Sequence, residues 1–167
     1  MNRKMKNFEM REIKFRAKRL DNGEWSYGSG LLIADDFCVI DRDTEMYVDE
    51  KYEWAGNTHF FRVAGAMCDL KTIGQYTGLK DKNGKEIYEG DILRGDEYPF
   101  NCDGVDNYFA EIVWADNVCG FYRITLKKTN STVRGISHGN WEQLDEDDIK
   151  SFEAIGNIYD NPELVEG

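Results

Sequence analysis

Turn signals cut this chain into short pieces, and they limit what it can fold into more than any other feature. Asp21-Asn22-Gly23, Asp81-Lys82-Asn83-Gly84 and Glu89-Gly90-Asp91 place residues that accept a positive φ cheaply between short patterned stretches. Around the first of them, Glu12-Ile13-Lys14-Phe15-Arg16-Ala17 alternates polar and apolar, the period of a half-buried strand. Trp25 and Tyr27 then alternate with Ser26 and Gly28. Residues 12–28 therefore predict a hairpin, with strands over 12–19 and 24–28.

The same reading extends along the chain. Leu31–Ile33 and Phe37–Ile40 predict short strands, Asp41-Arg42-Asp43 a turn, and Met67–Ile73 a further strand. Between them, residues 47–61 are rich in aromatics, with a break at Gly56-Asn57. Within Gly74–Leu93, Asn83-Gly84 is the strongest hairpin signal. Gly74, Gly78, Gly84 and Gly90 read as turn glycines, and Asp81, Asn83 and Asp91 as turn residues that bond nearby backbone. A Gly-Asp pair opening an apolar strand, as in Gly90-Asp91-Ile92-Leu93, is common in small SH3-like barrels, and Leu79 and Ile87 would pack under the turn. Residues 95–107 form a polar loop. Phe109–Trp114 and Gly120–Leu126 predict two strands joined at Asp116-Asn117, with Tyr122, Ile124 and Leu126 on one side. Lys127–Asn140 reads as a loop or a weak strand pair. Asp145 is placed to cap a helical turn over 146–150, and Phe152–Ile158 is a last strand before Pro162.

Composition fits this picture. The 167 residues include 2 prolines and 16 glycines, and 41% are hydrophobic, enough for a core without staples. No apolar run approaches the roughly 18–20 residues that span a bilayer, and the charged N-terminus lacks the apolar stretch of a signal peptide. An intracellular, cytoplasmic protein is the expectation. The cysteines at 38, 68, 102 and 119 show no C-x-x-C spacing and there are 2 histidines, His59 and His138. Free thiols are expected, with no metal and no cofactor.

Charge is uneven. Residues 1–20 hold eight bases, Arg3, Lys4, Lys6, Arg11, Lys14, Arg16, Lys18 and Arg19, against Glu9 and Glu12, a balance of +6. The remaining residues hold 13 bases and 30 acids, a balance of −17. Such a body repels phosphate, so direct nucleic-acid binding is disfavoured except through the basic strip. The plainer reading of the strip is a solvated face on an edge strand.

No catalytic residue can be assigned. G-x-S-x-G, Walker A, dinucleotide-binding and H-E-x-x-H patterns are missing. A metal-dependent nuclease would need converging acids, for which Asp81, Glu86, Glu89 and Asp91 are the candidates. Their plainer reading is as turn acids and exposed strand charges. The 96–106 loop lacks EF-hand spacing. Trp25, Tyr27, Tyr52, Trp54, Tyr76 and Tyr88 suggest an interface, and with an acidic body protein contact suits them better than base stacking. Among them Trp25, Tyr27, Tyr76 and Tyr88 are the candidate interface residues; the competing reading makes most of these rings core.

Three blocks carry a resemblance. Ile73-Gly-Gln-Tyr-Thr-Gly-Leu-Lys-Asp-Lys-Asn-Gly-Lys-Glu-Ile-Tyr-Glu-Gly-Asp-Ile92 resembles the central signature of the YopX family. Met10-Arg-Glu-Ile-Lys-Phe-Arg-Ala17 resembles its opening, and Ile155-Gly-Asn-Ile-Tyr-Asp-Asn-Pro-Glu-Leu164 its ending. The blocks come in the family's order and frame residues 10–164. The resemblance implies a phage or prophage protein in a bacterial cytoplasm, without established activity or catalytic residues, some of whose relatives form homo-oligomers. It also implies a mainly β fold of small antiparallel sheets with a C-terminal SH3-like barrel and little helix. The expected organisation is a leader over 1–9, with Met10 as initiator, an N-terminal β subdomain over 10–72 and the barrel over 73–165. Residues 34–66 and 95–107 match no family feature. The function expected is that of a non-catalytic accessory protein working through contacts with itself or with a host or phage protein. An acidic antagonist of a host nucleic-acid-binding protein and a metal-dependent nuclease are the alternatives.

Overall fold

A computed structural model describes residues 12–33, 35–41, 65–95, 108–127, 129 and 139–166. The expected 1–9 leader and Met10, the turn residues Arg42 and Asp43, the aromatic segment 47–61 with Tyr52 and Trp54, the 96–107 loop with Cys102, and both histidines lie outside the described residues. So does most of Lys127–Asn140.

The described chain is mainly antiparallel β with little helix. It opens with the hairpin β1 (Phe15–Lys18) and β2 (Trp25–Gly28) around a turn in which Gly23 takes φ +71°. β2 passes across Ser29 into β3 (Gly30–Ile33), which pairs with β4 (Phe37–Asp41), which pairs with β5 (Ala66–Asp69). Arg19 of the first hairpin bridges Cys68 of β5, so these pairings close a circuit. Ala17, Cys38, Ile40 and Cys68 fill it, with Phe15, Leu31 and Ile73 packed around them. The strand expected over Met67–Ile73 ends at Asp69. There the Asp69 carboxylate accepts the Lys71 N–H at 3.0 Å and caps a 3-10 turn over Leu70–Thr72. A local side-chain bond has outcompeted the ladder.

β6 (Gly74–Lys80) and β7 (Glu86–Tyr88) form the Asn83-Gly84 hairpin, and Gly84 takes φ +81°. They complete a sheet of order β2-β1-β6-β7. This sheet draws strands from both sides of residue 72. β1 lies between β2 and β6, so the solvated edge strand expected for the basic strip is not what forms there.

Beyond the Gly90 turn (φ +80°), β8 (Asp91–Gly95), β9 (Tyr108–Ala115), β10 (Gly120–Thr125), β11 (Trp141–Gln143) and β12 (Phe152–Asn157) build a curled half-barrel of order β11-β10-β9-β8-β12. A single helical turn, α1 (Glu146–Ile149), precedes the last strand, with the Asp145 carboxylate accepting the N–H of Asp147 and Asp148. This order, the last strand beside the first, is the SH3-like arrangement. Ile87, Leu93, Tyr108, Ile112, Ile149 and Phe152 are fully buried in it. Each such aliphatic side chain contributes about 1.5–3 kcal/mol by leaving water. Ile87 comes from the preceding hairpin, so the β6–β7 unit belongs to both halves of the molecule. No helix among the described residues is long and apolar enough to cross a membrane.

Candidate functional site

The four candidate aromatics come together, and what gathers them is Arg16. Its strand is covered on both faces. Ala17 points into the N-terminal core, and Arg16, 4% exposed, points toward the half-barrel. There its Nη2 lies 2.6 Å from Asp91 Oδ1 and donates to the Glu89 carbonyl at 3.1 Å. The guanidinium centre sits 4.6 Å from the Trp25 ring centroid and 5.0 Å from that of Tyr88. These rings face a charge that water cannot reach, a setting in which cation–π attraction is strongest. A Cβ at Gly74 would collide with the Glu89 carbonyl oxygen, so glycine there lets the two backbones close over Arg16.

The other rings extend the cluster. Tyr88 packs edge-on to Tyr27 at 5.5 Å and tilted to Tyr76 at 5.4 Å, and Trp25 tilts against Tyr159 at 5.9 Å. Tyr76 and Tyr88 are buried, Trp25 is half-buried and only Tyr27 is exposed. The cluster is thus mainly a joint between the N-terminal strands and the half-barrel.

Charges around it are paired. Glu86 accepts the Tyr88 hydroxyl at 2.7 Å and the Lys14 ammonium at 2.6 Å. Burial alone would raise the Glu86 carboxyl, but these two bonds hold it below its usual range. Burial, and then the bond to Glu86, push the Tyr88 hydroxyl up. Asp160 pairs with Lys18 and accepts the Trp25 indole N–H at 2.7 Å and the Asn157 amide at 2.8 Å. Against the upward push of burial, those bonds bring it down to about 2. At Asp91 burial wins and its carboxyl rises above the ordinary value, against the pull of Arg16 and the Tyr88 N–H. Lys14, Arg16, Lys18 and Arg19, the described members of the basic strip, therefore all sit in ion pairs.

The nuclease candidates do not converge. Asp81 accepts backbone N–H groups from Asn83 at 2.8 Å, Lys85 at 2.9 Å and Ala154 at 3.0 Å, and so ties the β6–β7 turn to β12. Burial pushes its carboxyl up, and these three bonds outweigh that push and lower it. Glu86 and Asp91 are held as described, and burial raises Glu89. No three His, Cys, Asp or Glu among the described residues gather to hold a metal ion. Cys38 and Cys68 are buried thiols, with Cys38 pushed up to about 11 first by burial, and Cys119 is exposed. The turn residues lie at bends and close approaches. Asp91 Oδ2 accepts the Tyr88 N–H at 2.8 Å, and Gly78, at φ +89°, sits where the β6–β7 register shifts.

Two buried cations escape a reading of the sequence. Arg16 is indistinguishable there from its solvated neighbours, because alternation names a strand's faces without saying that both are covered. Arg123, fully buried, bonds Glu142 at 2.8 Å and Asp148 at 3.3 Å over the Phe152 ring. The Glu142–Asp148 acid run, which has no base of its own, is the only hint of it in the chain. A groove of about 420 Å³ lies between β6 and α1, lined by Tyr76, Leu79, Lys80, Ile149 and Lys150.

The family described as YopX protein matches residues 14–166. Protein EF1440 from Enterococcus faecalis has a similar crystal structure, with 25% identity, a TM-score of 0.52, and coverage of 92% of this chain and 98% of that one. No curated protein sequence matches the chain.

Proposed function

Because the chain belongs to the YopX protein family, we propose that it is a non-catalytic accessory protein of a phage or prophage, acting in the bacterial cytoplasm through protein contacts and as a homo-oligomer. One observation supports this reading above others. The described acids and rings that suggested chemistry are largely spent on internal bonds, whereas apolar side chains such as Leu32, Ile33 and Met67 face outward. Such groups are the usual material of protein contacts. Light scattering across a concentration series tests it: self-association at micromolar concentration is expected, and a strict monomer refutes the homo-oligomer.

The −17 balance of the body supports a second reading, an acidic antagonist seated in a host protein's nucleic-acid groove. That reading requires salt-sensitive binding to a basic host protein, displaced by DNA. Binding that DNA leaves untouched would dispose of it. The nuclease draws no support from the geometry of its four acids.

A further inference from the structure

We propose that the outer edge of β3 is the surface through which two copies of this chain pair, strand against strand, about a two-fold axis. The inference rests on the self-association reading above and gives it a place. β3 lies at the rim of the β3-β4-β5 sheet, so one side of its backbone has no strand partner among the described residues. Proteins guard such rims with charge, proline, bulges or a covering loop. Among the described residues β3 has none of these. Its sequence is Gly-Leu-Leu-Ile, and its pairing with β4 runs without a bulge. Leu32 and Ile33 are 45% and 60% exposed.

At the rim formed by β2, the Asp41 carbonyl of β4 closes against Gly28, and the remaining rims are guarded. The turn after β6 covers β12, through Lys82 N–H to the Phe152 carbonyl at 2.9 Å and Ala154 N–H to Asp81. The outer side of β5 is joined to the first hairpin by the Arg19–Cys68 bridge and by Leu20 N–H to the Met67 carbonyl at 2.9 Å. β7 and β11 are three residues long, and each carries a glutamate.

Charge identifies the occupant. Copies of an acidic protein repel one another, least where neither carries charge. Residues 25–34, Trp-Ser-Tyr-Gly-Ser-Gly-Leu-Leu-Ile-Ala, are the longest stretch of the chain without an ionisable Asp, Glu, Lys, Arg or His, and β3 lies inside it. An antiparallel strand can pair with itself, and a two-fold interface requires that self-complementarity. Leu32 stands beside Val39, which stands beside Met67, in one row across the sheet. Pairing would continue that row into the second copy, with both Leu32 side chains near the axis.

The full chain is tested by sedimentation velocity over a concentration series, as wild type, as Leu32→Lys, and as Val118→Lys. Val118 is an equally exposed apolar residue in the β9–β10 turn and serves as the control. Two lysines brought close across the axis repel, so Leu32→Lys should raise the dissociation constant by about tenfold or more. Val118→Lys should leave it unchanged. Amide exchange on the wild type supplies an arm independent of any variant. The β3 amides should become protected as concentration rises. If the wild type associates but Leu32→Lys associates equally well, or β3 exchange ignores concentration, the edge assignment falls and self-association stands. A wild type that stays monomeric removes both. Protection at every concentration that disappears when residues 1–11 are deleted would assign the edge to the chain's own N-terminus and overturn the proposal.

Discussion

Replacing Asp91 by alanine removes the partner of a charge that has no route to water. Arg16 is 4% exposed and Asp91 1%, with 2.6 Å between them. Breaking a buried ion pair from one side costs about 3–5 kcal/mol, because the surviving charge stays desolvated. The Tyr88 N–H, now bonded at 2.8 Å to Asp91, also loses its acceptor. A domain of this size has about 5–15 kcal/mol in all, so the variant should lose about a fifth of its stability or more. Arg16→Met keeps the stem but leaves the Asp91 carboxylate and the Glu89 carbonyl unpaired, at a similar cost. The double variant removes both charges, and apolar replacement of a whole pair is close to neutral. The Tyr88 N–H and the Glu89 carbonyl stay unpaired at about 1–3 kcal/mol each, so its loss should fall short of the two single losses added together by about 3 kcal/mol or more. Urea unfolding followed by tryptophan emission measures all four corners, and Trp25, stacked on Arg16, reports on the joint directly. A single-variant loss under about 1 kcal/mol, or additivity within about 0.5 kcal/mol, would refute the account.

Asp81→Ala leaves three backbone N–H groups without their acceptor and should cost about 2–3 kcal/mol. Exchange at the Asn83, Lys85 and Ala154 amides should accelerate together, and acceleration at the turn alone would mean that β12 is held otherwise. Asp160, at about 2 when folded against an ordinary 3.8, contributes stability that is complete above about pH 4 and fades as pH falls through about 2. The pair with Lys18 is partly exposed, so the gain is at most about 1 kcal/mol; a carboxyl titration of Asp160 near 4 would contradict it. Gly84→Ala meets nothing within 4 Å and should cost only the strain of φ +81°, about 1 kcal/mol. Gly95→Ala brings its Cβ to 2.7 Å from the Phe152 ring, and overpacking there should cost about 1–3 kcal/mol, read by thermal melts of both variants.

Much of the backbone is legible from local chemistry. The Asn22-Gly23 and Asn83-Gly84 turns, the Asp145 cap and the strands on either side of Asp116-Asn117 each depend on a few adjacent residues, and the chain states them outright. The Asp69 cap shows the limit even here. Thr72 and Ile73 favour a strand, but a carboxylate two residues before Lys71 offers its N–H a better partner.

The amino acids alone therefore determine a mainly β chain with its reversals in place, because φ preference and period-two alternation act over a few residues. Which strands meet was decided in three dimensions. β1 took β6 as its second neighbour, which brought Lys14 to Glu86 and Arg16 to Asp91 and buried Arg16 between Trp25 and Tyr88. Arg123 found its acids about twenty residues further on, across the half-barrel. An arginine placed by alternation looks the same in sequence whether its face meets water or another sheet. Only the packing of that face sets the desolvation and the partner, and with them whether the charge lies on a surface or joins two halves of a fold.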